Sequence, residues 1–177
     1  MDSRLQIAQD LATEWHMGEV RKYTDGEPYI IHPIAVAQIV ASVTDRWEEI
    51  AAAYLHDVLE CAEDLRAGRE EVILVRLGSE VLNLVLEVTN PSRPSDGPRD
   101  VRKAIDREHL AKASPAGQTL RLADAIHNFS NLEERNPRFA LTYAQEKVLI
   151  LPLTLQGSQQ LHARLTEMLM PLTFRRD

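Results

Sequence analysis

Apolar positions along the chain recur at three- and four-residue intervals and no segment alternates strictly, so the pattern predicts an all-α fold of about eight to ten helices. No repeat at a solenoid-like period interrupts it. Residues 3–19 read as a first helix, with Leu5, Ala8, Leu11, Ala12 and Trp15 on one face and Met17-Gly18 ending it. Val20 to His32 contains Asp25-Gly26 and Pro28, turn-forming residues, and reads as a loop that carries Arg21 and Lys22. Pro33 suits the first position of a second helix, whose apolar run is Ile34, Val36, Ala37, Ile39, Val40 and Val43. That puts His32 at or near the N-cap, pointing inward or standing as an ordinary loop histidine.

Ala51 to Asp64 is apolar almost all round and is expected to be a buried helix with His56 and Asp57 inside it. Residues 65–78 follow as a helix with Val72, Ile73, Val75 and Leu77 inward and Gly78 as C-cap, then Ser79 to Val88 as another. Thr89 to Asp100, rich in proline, is a surface loop, and Val101 to Ala111 is a highly charged helix. Pro115 opens a helix through Leu132 with the stripe Leu122, Ile126 and Phe129, and Asp124, His127 and Asn128 on another face. A helix from Asn136-Pro137 to about Leu151, a terminal helix over Ser158 to Leu169 and a frayed TFRRD tail complete the expectation.

The 177 residues fit one domain, 1–177, large enough to bury a core without staples. Cys61 is the only cysteine, which excludes an internal disulfide and suits a reducing compartment, the cytoplasm by default. The amino terminus lacks the pattern of a secretory signal, and the longest uncharged apolar run, Val148 to Leu155, is too short to span a bilayer. A net charge of −7 and a pI near 5.4 argue against a nucleic-acid polymer as partner. A small anionic substrate stays possible if local cations or a metal hold it. The oligomeric state is left open.

Chemistry enters through polar groups in apolar surroundings. Burying an imidazole and a carboxylate without partners costs roughly 1–3 kcal/mol for a neutral group and more for a charge, so His56 and Asp57 need something to satisfy them. Helical spacing would set Glu60 beside both. A core histidine satisfied by its neighbours is one reading. A bound metal is the other, since imidazole and carboxylate both ligate Mn, Fe or Zn.

The order His32, His56-Asp57, Asp124, with the words RKYTDGEPYIIHP, AAAYLHDVLE and LRLADAIHN, resembles the HD superfamily of metal-dependent phosphohydrolases. Within it, the match is to the hydrolase domain of RelA/SpoT-type enzymes and to stand-alone small alarmone hydrolases, from about Trp15 to Leu155. As no synthetase or regulatory segment follows, the stand-alone type is the nearer match. The resemblance implies that His32, His56, Asp57 and Asp124 bind one metal, usually Mn2+, with Zn2+ or Fe2+ also suited to such donors. It implies hydrolysis of the 3′-diphosphate of a nucleotide alarmone, with Glu60 as the catalytic carboxylate. Arg21, Lys22, Arg99 and Asn128 become substrate contacts, Tyr143 a residue near the base, and His127 a supporting residue.

Two departures from the family pattern matter. Cys61 stands where the family has an aspartate after the glutamate, and a thiol is mostly protonated at neutral pH, so it cannot replace a carboxylate. Asp64 would substitute for it only if the helix continues past Glu60. Basic residues are also missing from the usual LADRLHNMR word, where this chain has Ala125 and Ser130. The competing readings are a different HD nucleotide phosphatase and a nucleotide-binding sensor without turnover.

Overall fold

The computed structural model describes residues 2–173; of the tail expected to fray, 173–177, Thr173 is the last residue of a helix and the rest lies outside the described residues. Among the described residues the helices are α1 Ser3–Trp15, α2 Ile31–Ala41, α3 Trp47–Leu55, α4 Glu63–Leu77, α5 Ser79–Val88, α6 Arg99–Leu110, α7 Pro115–Arg135, α8 Pro137–Val148 and α9 Gln159–Thr173. Single 3-10 turns occupy Pro94–Asp96 and Leu151–Leu153, and among the described residues there is no strand, only an isolated antiparallel bridge between Val20 and Pro28. No helix of the described residues is long and apolar enough to cross a membrane. The chain forms two compact units, Met1–Thr89 and Asn90–Asp177.

In the first unit α3 packs against α1, α2 and α5. Small side chains make this possible: Ala51, Ala52 and Ala53 on α3 and Ala8 and Ala12 on α1 are fully buried, which lets helix backbones approach closely. Inserting a larger residue there, as in Ala52→Leu, would overpack the contact at about 1–3 kcal/mol. Gly78 joins α4 to α5 at φ 91°, a left-handed conformation that glycine adopts without strain. Of the inward residues expected on α4, Ile73 and Leu77 are buried and Val72 is half-buried, but Val75 is 77% exposed, because it lies on the face of α4 turned away from α5.

The second unit is organised on α7, which packs on α8 and α9. Ser114 caps it by accepting the Gly117 amide at 3.2 Å, with Pro115 at the first position. The stripe Leu122, Ile126 and Phe129 is fully buried, and so are Leu165 and Leu169 on α9. The α8–α9 connection is stitched to α7 by Gln118, whose Oε1 accepts the amides of Gln156 and Gly157 at 2.9 and 3.1 Å. A Cβ at Gly157 would lie 3.0 Å from the Thr119 nitrogen, so the close approach requires glycine.

Several boundaries differ from the sequence expectation, among them the start of α6 at Arg99 rather than Val101, and two lie at the chemistry. α1 stops at Trp15 rather than near residue 19. α2 starts at Ile31, so His32 lies in its first turn, not ahead of it. α3 ends at Leu55, and residues 56–59 continue in turns, with Val58 N donating to Leu55 O and Glu60 N to Asp57 O. The cause is local: the His56 ring, through Nδ1, takes the Ala53 carbonyl at 2.8 Å, which a continuing helix would offer to the Asp57 amide. Burial of the run is as expected only as far as Leu59, for Val58 and Leu59 are inside, whereas Asp57 is half-buried and Glu60 and Ala62 to Asp64 are exposed. The helical register that was to place Glu60 beside His56 and Asp57, and Asp64 beside Glu60, does not exist.

Candidate metal centre

His32 and His56 are among the most buried polar side chains of the first unit, 2% and 3% exposed. They come from the start of α2 and the end of α3, brought together by the packing of those helices. Their Nε2 atoms lie 3.1 Å apart, with ring planes at 75°. Asp57 follows His56 directly and turns Oδ2 into the same gap, 3.0 Å from His56 Nε2 and 3.5 Å from His32 Nε2.

The lone pairs decide what this arrangement accepts. A carbonyl only accepts, so His56 Nδ1 carries the proton in its bond to Ala53 O, and the neutral ring presents the Nε2 lone pair to the gap. Two nitrogens and a carboxylate oxygen then converge on one point. Ligands bound at about 2.0–2.2 Å in tetrahedral or octahedral order stand roughly 3.0–3.4 Å apart, which matches these separations. The donor set therefore fits a divalent cation. Burial by itself would raise the Asp57 carboxyl, but when the imidazoles are protonated the charge of His56 and hydrogen bonds from His32 and His56 outweigh it and hold it well below the usual carboxylate range.

Behind this triad stands Tyr29, a residue the sequence reading passed over. Its hydroxyl donates to Asp57 Oδ2 at 2.5 Å, and its ring lies 4.7 Å from that of His16. His16 is itself buried, with Nδ1 2.9 Å from Glu19 Oε2. The available signal was the aromatic of the PYIIHP word, three residues before His32.

Between Glu19 and Tyr29 the loop folds back on itself: Tyr29 N donates to Glu19 O and Arg21 N to Glu27 O, each at 2.9 Å. Arg21 is buried at its base, 3.5 Å from Glu27 Oε2, whereas Lys22 is exposed. Tyr23, next in line, is held at φ 63°, a strained conformation for a bulky residue. Glu60 is exposed in the turn that follows Asp57, and Cys61 is half-buried just before α4. Cys61 is thus not the core residue of an apolar helix that the unbroken run implied.

The second unit gathers a different set. Asp124 on α7 is buried; its Oδ1 accepts from Asn128 Nδ2 at 2.5 Å, and Arg121 Nη1 lies 3.4 Å from Oδ2. Asn90 Oδ1 accepts a second hydrogen bond from Arg121, at 3.1 Å. His127 is half-buried against the Asn131 side chain, which donates to its carbonyl at 2.9 Å. From α8, Tyr143 is buried and Lys147 Nζ sits 4.9 Å from its ring centre. The Tyr143 hydroxyl makes no well-formed hydrogen bond, although Asn128 is near enough to bias it, and burial with the nearby Asp124 pushes it well above its ordinary value. Burial likewise pulls Lys147 down to about 8, with Arg121 and Lys103 adding to the fall and Asp124 and Glu146 opposing it. Arg99 lies apart from this cluster's centre, clamped by both its Nε and Nη2 to the Glu146 carboxylate at 2.6 and 2.9 Å. Arg121 and Lys147 were also passed over; their signal was the spacing of Arg121 from Asp124 and of Lys147 from Tyr143, one helical turn each.

Comparison with known proteins identifies the family. The HD domain family matches residues 8–150. Guanosine-3′,5′-bis(diphosphate) 3′-pyrophosphohydrolase MESH1 of Homo sapiens is 36% identical over 138 residues, 76% of this chain and 73% of that protein. A Borreliella burgdorferi guanosine-3′,5′-bis(diphosphate) 3′-pyrophosphohydrolase is 32% identical over 71% of this chain, but that stretch is only 18% of its own length. The solved structure of a metazoan ortholog of SpoT, described as hydrolysing ppGpp and playing a role in starvation responses, has the same fold, with a TM-score of 0.79 at 23% identity over 97% of this chain and 96% of that one. With its buried His-His-Asp triad and a family match across most of its length, this chain belongs to the HD-domain family, beside the guanosine-3′,5′-bis(diphosphate) 3′-pyrophosphohydrolases.

Proposed function

We propose that this chain is a metal-dependent 3′-pyrophosphohydrolase of nucleotide alarmones, guanosine or adenosine 3′-diphosphates, acting in the cytoplasm as one HD-type domain. The observation that carries the reading is the convergence of His32 Nε2, His56 Nε2 and Asp57 Oδ2 within 3.0–3.5 Å of one another, three lone pairs that call for a cation. Relatives named for this reaction support the substrate class. That the family match runs through both compact units supports a single domain.

His32, His56 and Asp57 hold the ion, and the family resemblance adds Asp124 as the fourth ligand. Mn2+ is the proposed ion, Zn2+ and Fe2+ suiting the same donors. When bound, such an ion supplies Lewis acidity and a water of lowered pKa. Glu60 takes the proton of the attacking water. Water adds to the phosphorus attached to the ribose 3′ oxygen, that P–O bond breaks, and the products are a nucleoside bearing a free 3′-hydroxyl and pyrophosphate. Arg21, Lys22, Arg99 and Asn128 are the proposed substrate contacts, and each cation offsets phosphate charge against an acidic protein. Arg99 would have to exchange or share its Glu146 partner to do so.

The test is incubation of purified protein with Mn2+ and a panel of guanosine and adenosine 3′-diphosphates, followed by separation of nucleotides and assay of both pyrophosphate and orthophosphate. Pyrophosphate release supports the reading. Orthophosphate release points to another HD phosphatase, and tight nucleotide binding without product at any metal concentration to a sensor.

A further inference from the structure

The loop from Glu19 to Tyr29 reaches the metal triad through Tyr29, which bonds both to the start of α2 and to Asp57 beyond the end of α3. The Tyr29 carbonyl accepts the His32 amide at 2.9 Å in the turn that opens α2, and the Tyr29 hydroxyl donates to Asp57 Oδ2 at 2.5 Å. Its ring stands edge-on to His32, with centres 5.8 Å apart, and is tilted against His16 at 4.7 Å. We propose that Tyr29 is a positioning residue of the metal centre, holding the Asp57 carboxylate in the gap between the imidazoles, with His16 as the platform that sets its ring. The inference rests on the metal reading above but on no assumption about substrate.

The physical argument concerns a carboxylate with little else to aim it. The terminal torsion of an aspartate is soft, so Oδ2 is held only by what it touches. Two of its neighbours, His56 Nε2 and His32 Nε2, are the other donors to the ion and turn from it once their lone pairs are engaged. The phenol O–H remains as a donor that a metal does not displace, and its bond to a charged oxygen is about twice as strong as a neutral one. Partners of this kind, bonded to a ligand rather than to the ion, are worth roughly 10–100-fold in metal affinity.

His16 extends the support. It is buried, its Nδ1 is tied to the Glu19 carboxylate at 2.9 Å, and its Nε2 is buried without a hydrogen-bond partner. The Glu19 carboxylate and the face of Tyr29 both hold the ring. Since Tyr29 N donates to Glu19 O at 2.9 Å, side-chain and backbone ties close on the same pair of residues.

The experiment measures Mn2+ affinity of metal-free protein by chelator competition, for wild type, Tyr29→Phe, Asp57→Asn and the double variant. Tyr29→Phe keeps the ring and its packing and deletes the hydroxyl alone. Expected is a loss of affinity of about 10–100-fold in Tyr29→Phe. In the Asp57→Asn background the same change should have no further effect, because its action passes through that carboxylate. Wild-type affinity in Tyr29→Phe, or an equal loss in both backgrounds, would overturn the proposal. Should Tyr29→Phe not fold, His16→Phe carries the comparison, with a smaller loss expected and an unchanged affinity again overturning it. Wild-type protein that takes up no Mn2+ would overturn the metal reading itself, whereas failure of the nucleotide assignment leaves these measurements standing.

Discussion

Around His32, His56 and Asp57 in the first unit, lone pairs face one another across 3.0–3.5 Å, and the groups that support them, Ala53 O and the Tyr29 hydroxyl, sit behind the ligands. Around Asp124 in the second unit, the proposed fourth ligand, the neighbours are of another kind. Its carboxylate is met by Asn128 and Arg121, and Lys147 stands over the buried Tyr143. One cluster is a concentration of donors in need of a cation. The other carries cations of its own, and burial above all, with Arg121 and Lys103 adding to it, pulls Lys147 down to about 8. On the proposed reaction the first set of donors suits the metal, and the second, with Arg121, Lys147 and Tyr143, suits a phosphorylated nucleotide.

The largest effect that would break this contrast comes from the first cluster. His56→Ala removes a donor that no other described group of that cluster replaces, and it should abolish stoichiometric metal and turnover together. Elemental analysis of the purified variant checks it; full Mn occupancy would sink the ligand assignment. Glu60→Gln comes next. It leaves the three donors in place, so metal should be retained while turnover falls by ~10²–10⁴, the size of a general acid/base contribution. A near-native rate would mean that another carboxylate takes the proton.

Lys147→Met probes the second cluster, and the sign follows from linkage. The folded value is near 8, below the roughly 10.4 of an unfolded lysine, so below pH 8 the folded state bears the cost of a buried charge. Between those values the unfolded chain holds more protons and stability rises with pH. Lys147→Met should therefore be more stable than wild type at pH 7, by about 1–2 kcal/mol after discounting for partial exposure, and the gap should close above about pH 10. Melting curves at both pH values decide; a variant no more stable at neutral pH would remove the crowding of cations from the comparison. The smallest effect concerns Cys61→Asp. Cys61 is half-buried one residue before the N-cap of α4, where a carboxylate meets the favourable end of the helix dipole, so its stability should stay within ~0.5 kcal/mol of wild type. A rise in alarmone hydrolysis would mean that the family's aspartate assists proton transfer at this position; an unchanged rate would mean that it does not.

Helix content, the order of the elements and the identity of the buried stripes were legible in the sequence, because a 3.6-residue period and proline or glycine punctuation are local properties. Ser79–Val88 and the start at Pro115 follow directly from them. His32, His56 and Asp57 could also be singled out, since a titratable group in an apolar run stands out whatever the fold. What local pattern could not contain was the end of α3. Every residue from Ala51 to Leu59 favours burial, and nothing in that run marks Leu55 as the last helical position. The break comes from the His56 ring taking the Ala53 carbonyl, which turns Nε2 toward His32, a residue 24 positions earlier. Tyr29, Arg121 and Lys147 escaped for the same reason. Their roles lie in partners rather than in pattern, and partners separated by a loop or a helix are chosen only when packing brings the elements together.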